Sequence, residues 1–434
     1  MRVALVIAAV VGCNDAVTLD VTSDRPIPTA IDAMCLGVAD QNPHGGHFGA
    51  HYDLDELPQS LRLEPGGADH ALSWVRGDRG GVPVARASAA VDFGGDVTLA
   101  LPACVKGPAA PAHVVGSAGP AMAKLAVSEG QGGALIVAFG DVAQVIDAHR
   151  GTLVANDLAP PAGNVLQVIA VDVDGDCDDD LVVVTDAAPP QIYLRDAESF
   201  TVGGSVGDAI VAAVAAGDLD RDGDQDVITG SGGTLVAYLN DGAASFTAAP
   251  QLLSGASLVS KISALALGDV DGDGYPDLIV GQAGPPLAAW LGDGGTFAAS
   301  TSIVPPVALD VESLAFGDAD GDFDPDLAVA VTGEAMRLYV DRDGHLEDQS
   351  FVRLPQPIDT AHAIAFGGFD AACPPDAVIA SDAGAALLAG QDEGVFAPAE
   401  MLPAATDVVL ADIDDDGDLD AVFATADGVT WVAR

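Results

Sequence analysis

The sequence predicts an all-β protein, with a seven-bladed β-propeller over residues 108–434 preceded by a small antiparallel, sandwich-like β module over residues 13–107. Three observations carry this prediction. An acidic motif followed by an apolar run recurs along the chain, the apolar runs are short and separated by Gly, Asp and Pro, and helix patterns are nearly absent. Four such runs in about 45 residues is the period of a propeller blade.

Charge limits the partners that the chain can bind. The 65 acidic and 16 basic residues give a formal net charge of −49, which repels nucleic-acid phosphates and anionic membrane surfaces. We therefore expect no nucleic acid as partner and small metal cations as the first ligands. Because 49% of the residues are hydrophobic and the charge is clustered, the chain can still build a core.

The chain begins with an apolar segment that is too short to span a bilayer. Arg2 precedes an apolar run over residues 3–11, and Gly12 and Cys13 follow it. This order resembles the lipobox of bacterial lipoprotein signal peptides. The resemblance implies a signal peptide at residues 1–12, a diacylated Cys13 as the only membrane anchor, and a periplasmic or cell-surface location. An ordinary secretory signal and a buried first strand are the alternatives.

Four cysteines besides Cys13 are an even number, as disulfides in an oxidising compartment require, and they allow three pairings. Cys35 and Cys104 both precede the repeats, and we expect them to form a disulfide within the N-terminal module. Cys177 and Cys373 stand at equivalent places in two repeats. A ring separates such places beyond the Cα distance of about 7 Å that a disulfide allows, so their pairing stays open.

The acidic motif sets the number of repeats. Five intact motifs begin at Asp172, Asp218, Asp269, Asp318 and Asp412. A degenerate unit at Gly368 keeps two aspartates, and an upstream unit keeps only the apolar tail, with Ala126 at the first position. Seven units result. The last unit stops after its third strand, so a strand from within residues 97–117 is expected to complete that blade and to leave no exposed edge.

An aromatic residue recurs in the third apolar run of most units. We expect these side chains to pack between neighbouring blades, because a periodic aromatic residue usually belongs to a core. They are Tyr193, Tyr238, Trp290, Tyr339 and Trp431.

The acidic loops are the candidate metal sites. With the first aspartate as position 1, carboxylates fall at positions 1, 3, 5 and 9, and hard oxygen ligands in that number suit Ca²⁺. Without a cation, the cluster suffers like-charge repulsion. The candidate ligands are Asp172, Asp174, Asp176, Asp180, Asp218, Asp220, Asp222, Asp226, Asp269, Asp271, Asp273, Asp277, Asp318, Asp320, Asp322, Asp326, Asp412, Asp414, Asp416 and Asp420.

An EF-hand is the competing interpretation of these loops, but it needs a Glu at position 12 and flanking helices. Position 12 is Thr229, Val280, Val329 and Phe423 in four of the loops, and strand patterns flank them. From about residue 122 to residue 434 the chain resembles FG-GAP or VCBS repeats, which are known from the N-terminal propeller of integrin α chains and from many bacterial secreted proteins.

That resemblance implies how each loop works. Each would join the first and second strands of its blade and hold one structural Ca²⁺, about five ions in all. The carbonyl of Tyr275 would add a main-chain ligand, and Gly223 and Gly417 would hold the turn at position 6. Cys177 and Phe323 occupy that position in the loops at Asp172 and Asp318. The degenerate units at Gly368 and Ala126 are expected to bind no metal.

Catalytic motifs are absent from the sequence: there is no GxSxG, HExxH, Walker or dinucleotide-binding pattern. The stretch "PHGGHFGAHYDLDE" offers His44, His47, His51 and Asp53 to a transition metal, with an ordinary surface loop as the alternative.

We therefore expect a monomeric scaffold, not an enzyme, that binds extracellular protein or glycan. A carbohydrate-binding lectin and a secreted propeller hydrolase or lyase are the alternatives. One binding constellation repeated in every blade would favour the lectin, and an irregular cluster of acidic and basic groups would favour the enzyme.

Overall fold

The computed structural model describes residues 122–433 apart from short gaps, and before residue 122 it describes strands as backbone alone. The gaps are residues 129–134, 141–142, 148–151, 156–157, 160, 177, 197–198, 221, 254–257, 274, 318, 321–324, 343, 356–357, 359, 368–375, 392–394, 398–399 and 412–418.

The strands before residue 102 form two four-stranded sheets. They are β1 (Ala4–Val6), β2 (Val17–Ser23), β3 (Ala33–Asp40), β4 (His47–Asp53), β5 (Gln59–Leu63), β6 (His70–Arg79), β7 (Val82–Asp92) and β8 (Asp96–Leu101). The order β4-β3-β6-β7 is antiparallel. The order β1-β5-β2-β8 contains two parallel pairs, β1 with β5 and β2 with β8, so this sheet is mixed. Strand β1 lies inside the predicted signal peptide, residues 1–12. Its pairing with β5 is what we expect if this segment is a strand of the folded protein, one of the alternatives to a signal peptide.

From residue 122 onward the strands form successive four-stranded antiparallel units, of which two, units 4 and 5, are joined into one eight-stranded sheet. Unit 1 contains β10 (Met122–Ser128), β11 (Leu135–Gly140), β12 (Ala143–Asp147) and β13 (Thr152–Ala155). Unit 2 contains β14 (Val165–Val171), β15 (Asp180–Thr185), β16 (Gln191–Asp196) and β17 (Ser199–Ser205). Unit 3 contains β18 (Ala213–Gly217), β19 (Asp226–Ser231), β20 (Thr234–Leu239) and β21 (Thr247–Ala248). Unit 4 contains β22 (Ile262–Gly268), β23 (Asp277–Pro286), β24 (Ala288–Gly292) and β25 (Phe297–Ser300).

Three further units follow. Unit 5 contains β26 (Ala308–Gly317), β27 (Asp326–Val331), β28 (Arg337–Asp341), β29 (Leu346–Asp348) and a short helix, α1 (Ser350–Arg353). Unit 6 contains β30 (Ala361–Gly367), β31 (Asp376–Ser381), β32 (Ala386–Leu388) and β35 (Glu400–Met401), with a ribbon of β33 (Gly390–Gln391) and β34 (Val395–Phe396). Unit 7 contains β36 (Asp407–Ala411), β37 (Asp420–Thr425), β38 (Gly428–Ala433) and β9 (His113–Ala118).

The all-β prediction is confirmed, and α1 is too short to alter it. In the part of the chain that the structure describes, no helix has the length and apolar character that crossing a membrane takes.

The hydrophobic core lies between consecutive units. One cluster joins Ile228 and Ala237 of unit 3 to Leu278 and Trp290 of unit 4, and the other clusters join neighbouring units in the same way. All six residues of β15 and of β27 are buried. A strand that packs against another sheet on both faces needs apolar residues on both, which is why these runs do not alternate.

The predicted aromatic register holds in four units and fails in the seventh. Tyr193, Tyr238, Trp290 and Tyr339 each pair with the residue that follows the last aspartate of the loop. In unit 7 that partner is Val432, and Trp431 pairs with Val422 instead. A shift of one residue turns a side chain to the other face of a strand. Trp431 therefore packs against unit 1.

The last unit is completed by a strand from before the first repeat. Strand β9 pairs antiparallel with β38. It lies at the end of the range 97–117, in which the sequence predicted the completing strand, and extends one residue beyond that range. The cluster that contains Trp431 also contains Leu125, Ile136 and Ile146 of unit 1. The last unit therefore packs against the first.

Unit 1 differs from the sequence alignment in register. Ser128 pairs with Leu135, so six residues separate β10 from β11, against the eight that separate Val171 from Asp180 in unit 2. Ala126 consequently lies inside β10, opposite Val137, and does not open a loop. Leu135 takes the place of the last aspartate.

Candidate metal centre

The acidic loops lie where the repeat predicts them, between the first and second strands of a unit. In units 2, 3 and 4 the chain leaves β14, β18 and β22, passes through the loop and enters β15, β19 and β23. The residue before each loop pairs with the aspartate at position 9, for example Val171 with Asp180. Each loop is therefore the connection of an antiparallel hairpin, and its two ends are held together by the ladder.

Three of these loops bring carboxylates together. In each group three carboxylates each offer one oxygen, and those oxygens lie within 4.8 Å of one another. Positions 1 and 3 converge in all three groups; position 9 joins them in units 2 and 3, and position 5 in unit 4. The groups are Asp172, Asp174 and Asp180; Asp218, Asp220 and Asp226; and Asp269, Asp271 and Asp273.

Glycine and local hydrogen bonds shape the loops. Gly223 at position 6 has φ of +93°, as the turn role predicted for it requires, and Gly175 and Gly272 at position 4 have φ of +76° and +72°. The amide of Gly175 donates to Asp172 Oδ1 at 2.8 Å, and the amide of Tyr275 donates to Asp273 Oδ1 at 2.9 Å. These bonds fold the loop tightly enough for alternate side chains to face one point.

The aspartate at position 9 has a second role that the sequence did not reveal. Asp180 is fully buried; its Oδ2 accepts from the amide of Val173 at 3.0 Å and its Oδ1 from the amide of Arg195 at 2.7 Å. The same pair of bonds recurs at Asp226, Asp277 and Asp326. This carboxylate joins the loop to the third strand of its own unit.

The degenerate unit 6 keeps that brace. Asp376 is fully buried, and its Oδ1 accepts from the amide of Gly390 at 2.7 Å. The signal was present in the sequence, because Asp376 is one of the two aspartates that this unit retains. Its hydrogen bond to Gly390 gives position 9 a structural role besides that of a candidate ligand.

Electrostatics favours a cation in the loops. Burial raises the pKa of Asp180 to about 8 and the pKa of Asp226 and of Asp277 to about 7, and neighbouring loop carboxylates add to these shifts. Burial and the carboxylates around it also raise the pKa of Asp176 to about 7. Burial of each carboxylate is the main cause of its raised pKa and the neighbouring carboxylates are a smaller one, and a bound cation would offset both.

Buried carboxylate oxygens show whether the loops suit a metal ion. Oδ1 of Asp174 and Oδ1 of Asp220, both at position 3, are buried without a hydrogen-bond donor. An oxygen in that state is costly unless a cation coordinates it. The donor set consists of carboxylates, which suits Ca²⁺ better than zinc or another soft ion. The residues in these loops therefore fit calcium.

The loops of units 2 and 4 also contact the unit that follows. Asn240 of unit 3 donates from Nδ2 to the carbonyl of Val173 in the loop of unit 2 at 2.7 Å, and the amide of Ala244 donates to the same carbonyl at 2.9 Å. A Cβ added to Gly344 of unit 5 would lie 3.5 Å from Cα of Asp271 in the loop of unit 4. An ion that ordered either of these loops would also order the junction with the next unit.

Several predicted site residues lie outside the described residues. They are Cys13, His44, Cys104, Cys177, Asp318, Asp322, Phe323, Cys373, Asp412, Asp414, Asp416 and Gly417. Cys35, His47, His51 and Asp53 lie on strands that are described as backbone alone. Their ligand and disulfide roles, and the carbonyl of Tyr275 as a ligand, stay predictions.

Known proteins share both the repeat and the fold. The FG-GAP-like repeat matches residues 172–229, 218–280 and 269–329. A chain of the crystal structure of BBS1N in complex with ARL6DN, soaked with mercury, has a TM-score of 0.50 at 12% identity and covers 74% of this chain and 94% of that chain. At this identity the likeness is one of fold.

Two further structures are more distant. An Agrocybe aegerita lectin that recognises non-reducing terminal N-acetylglucosamine has a TM-score of 0.47 at 17% identity, covering 71% of this chain and 85% of its own. The computationally designed Ika8 protein has a TM-score of 0.46 at 14% identity, with coverage of 74% and 98%. No curated protein matches the chain. The chain thus carries FG-GAP-like repeats in a β-propeller-like fold, with three acidic clusters consistent with calcium sites.

Proposed function

We propose that the chain is a calcium-braced scaffold that binds protein or glycan outside the cytoplasm. Units 1–7 are its seven blades, and residues 13–107 form a separate β module before them. The observation that carries the proposal is the buried, unbonded Oδ1 of Asp174 and of Asp220 among converging carboxylates.

The metal is calcium, with about five loops as candidates on their sequence pattern. Each bound ion stabilises the folded chain by RT ln(1 + [L]/Kd), about 2.7 kcal/mol at a hundredfold excess over Kd. Calorimetric titration of the chelated protein tests this, and we expect at least three Ca²⁺ per chain, one for each cluster. Fewer than three, or a melting curve that ignores chelator, would contradict the calcium role.

The opposite edge of the units is where a partner would bind. Ile210, Val259 and Val307 lie one to three residues before the first strands of units 3, 4 and 5, whereas the acidic loops follow those strands. These three side chains are 49%, 86% and 42% exposed. We take these exposed apolar side chains as the candidate contacts for a protein partner.

A glycan array on the calcium-loaded protein separates the two kinds of partner. Binding of a defined sugar would support the lectin alternative. A protein partner would instead lose affinity when Val259→Asp places a charge on this edge, with Val202→Asp, on the exposed β17, as the matched control.

Among the described residues, a histidine between two carboxylates is a candidate site for the hydrolase or lyase alternative, and its geometry does not favour catalysis. His362 Nδ1 lies 2.6 Å from Glu312 Oε1, and His362 Nε2 lies 3.0 Å from Asp382 Oδ1. Burial opposes the charged form, but the bonds to both carboxylates carry the pKa of His362 above its ordinary value. Both ring nitrogens are engaged, so neither is open to act as a base.

The anchor and the N-terminal disulfide are also part of the proposal. Mass spectrometry of the mature N-terminus tests lipidation of Cys13, and Cys13→Ser is expected to release the protein from membranes. Peptide mapping without reductant tests the Cys35–Cys104 disulfide, and free thiols at both residues would count against it. Light scattering tests the monomeric state.

A further inference from the structure

A histidine of unit 6 lies between two carboxylates at the junction of units 5 and 6. His362 Nδ1 lies 2.6 Å from Glu312 Oε1 in β26, and His362 Nε2 lies 3.0 Å from Asp382 Oδ1. Asp382 is in the turn after β31, at the end of that strand opposite to Asp376. The group therefore lies at the edge of the units away from the acidic loops, and one imidazole ring contacts both units.

Two β-bulges place these side chains. The ladder between the first two strands shifts register around Glu312 in unit 5 and around His362 in unit 6. A bulge leaves its extra residue out of the ladder and redirects the side chain of that residue. Units 2 and 4 have the same bulge, with the uncharged Leu166 and Ser263 as the extra residues. The repeat therefore provides the position, and units 5 and 6 fill it with an acid and a base.

The two contacts determine the protonation state of His362. A neutral imidazole has one N–H donor and one acceptor nitrogen, whereas the imidazolium has two N–H donors. An ionised carboxylate only accepts hydrogen bonds, so a neutral ring would turn a lone pair toward either Glu312 or Asp382. Both contacts are hydrogen bonds only when the ring carries two protons and is positively charged. Charge-assisted hydrogen bonds of this kind are stronger than neutral ones.

The charged groups that face His362 come from three elements. Glu312 lies on β26, Asp382 follows β31, and Asp407 on β36 of unit 7 interacts electrostatically with the ring. All three are acidic, so all three favour the charged form of the histidine. The other charged residues on the strands packed against β30 lie toward unit 4 or at the far ends of the strands; they are Asp310, Asp326 and Asp376.

The pKa of His362 follows from these neighbours. Burial opposes the charged ring, but the hydrogen bonds to Glu312 and Asp382 raise the pKa of His362 above its ordinary value. Burial also raises the pKa of Asp407, and the cations Lys124 and His362 act against that shift. A histidine with a raised folded-state pKa stabilises the folded state below the unfolded pKa, and the contribution is lost as the pH rises through the folded pKa. The ion pairs of His362 are therefore complete at acidic pH and are lost at higher pH.

We propose that His362 is a pH-dependent switch that holds Glu312 of unit 5 and Asp382 of unit 6 together and releases Asp382 when the ring loses a proton to solvent. Exposure decides which contact is released, because the side chain of Asp382 is 71% exposed and that of Glu312 is 35% exposed. Water replaces the histidine donor more easily at Asp382. The one N–H of the neutral ring therefore stays on Nδ1 and donates to Glu312, and the edge away from the loops becomes more acidic.

NMR of the full chain, with histidine labelled with ¹⁵N, tests the switch because it reports the two ring nitrogens separately. The signals of His362 are those that His362→Gln removes. At about pH 6.5, where an ordinary histidine is half protonated, we expect both nitrogens of His362 to carry protons. As the pH rises further, Nε2 is expected to lose its proton and Nδ1 to keep it.

Substitutions of nearby acids show which contact holds the proton. Glu312→Gln keeps a side-chain acceptor but removes the charge, and we expect the titration midpoint of His362 to fall by about one pH unit. Asp310→Asn is the matched control, because Asp310 is an exposed acid on the same strand that pairs toward unit 4. This variant should leave the midpoint nearly unchanged.

Hydrogen exchange in residues 382–385 measures the release of Asp382. Wild type and His362→Gln are compared at the same pH, because Gln stays neutral at every pH. At pH 6 the variant is expected to exchange faster by about threefold or more, and at pH 9 the two proteins should agree.

Three results would overturn the proposal. They are a titration midpoint of His362 that Glu312→Gln does not lower, loss of the proton from Nδ1 before Nε2, and equal exchange of wild type and His362→Gln at pH 6. The second would mean that Glu312 is the released partner. None of these measurements involves a metal, so their failure leaves the proposed calcium role standing.

Discussion

Asp407 of unit 7 accepts a hydrogen bond on Oδ2 from the amide of Leu125 in unit 1, at 2.9 Å and across 282 positions of sequence. Gln167 stands at the equivalent position of unit 2 and bonds the amide and the carbonyl of Val214 in unit 3, at 2.9 and 3.0 Å. The last unit is therefore joined to the first by the same kind of contact that joins two units adjacent in sequence. Strand β9 adds a backbone ladder to that junction.

Asp407→Ala is expected to weaken the closure. The substitution leaves the amide of Leu125 without its acceptor in a buried junction, which costs about 1–3 kcal/mol. Urea denaturation measures the loss, and Asp407→Asn is the control because it keeps a side-chain acceptor. A variant Asp407→Ala that is as stable as the wild type would show that β9 closes the ring without this contact.

The two roles of aspartate in the loops are separable by substitution. Asp271→Ala at the exposed position 3 is expected to remove one Ca²⁺ and to leave the stability of the calcium-free protein nearly unchanged. Asp376→Ala in unit 6 is expected to keep every Ca²⁺ and to cost about 1–3 kcal/mol, because the amide of Gly390 loses its partner. Titration calorimetry and denaturation together measure both. A loss of metal in Asp376→Ala would mean that unit 6 also binds an ion.

The repeat could be predicted because its signals are local. Aspartates at fixed spacing and short apolar runs place each loop between two strands, and β15 and β27 follow their loops as expected. The two functions of position 9 could not be separated, because a ligand and a brace are the same residue in the sequence. Only the bonds from Val173 and Arg195 to Asp180 distinguish them.

Other features depend on contacts that no local pattern records. Trp431 differs from Tyr339 by one residue of register, which reverses the face of the strand it occupies. The parallel pairing of β1 with β5 joins segments that are far apart in the chain. Arg353 follows an apolar pair in the sequence, and only the orientation of α1 shows that it reaches Asp320.

Asn240 is expected to couple the loop of unit 2 to unit 3. Its Nδ2 contacts the carbonyl of Val173, and its Oδ1 accepts from the amides of Asp241 and Ser245 at 2.9 and 3.2 Å. Asn240→Asp keeps the acceptor but replaces the donor by a carboxylate that faces a carbonyl. We expect a loss of about 1–3 kcal/mol and weaker calcium binding at Asp172, Asp174 and Asp180.

Exchange rates in residues 172–180 measure that coupling. Asn164→Asp serves as the control, since Asn164 bonds Asp186 at an exposed site away from the loops. Equal exchange in the two variants would indicate that the loop is ordered by its own unit alone.

Calcium is expected to raise the melting temperature more at pH 8 than at pH 5. Burial raises the folded-state pKa of Asp180 to about 8 and of Asp226 and Asp277 to about 7, from an ordinary value of 3.8. A carboxyl whose folded-state pKa is raised favours the folded state when protonated. Its stabilisation is complete below the unfolded pKa and is lost as the pH rises through about 7 to 8. The calcium-free protein should therefore melt at a lower temperature at pH 8 than at pH 5.

Calcium reverses this dependence because it replaces the proton as the counter-charge. With Ca²⁺ the melting temperature should change little between pH 5 and pH 8, so the loss caused by chelator grows with pH. Calcium added to weakly buffered protein near pH 7 should also release protons, because loop carboxyls that are partly protonated must ionise to hold the ion. Melting curves across this range and a pH-stat titration measure the two effects. Equal chelator effects at pH 5 and pH 8, together with no proton release, would show that the buried carboxyls are already ionised without metal.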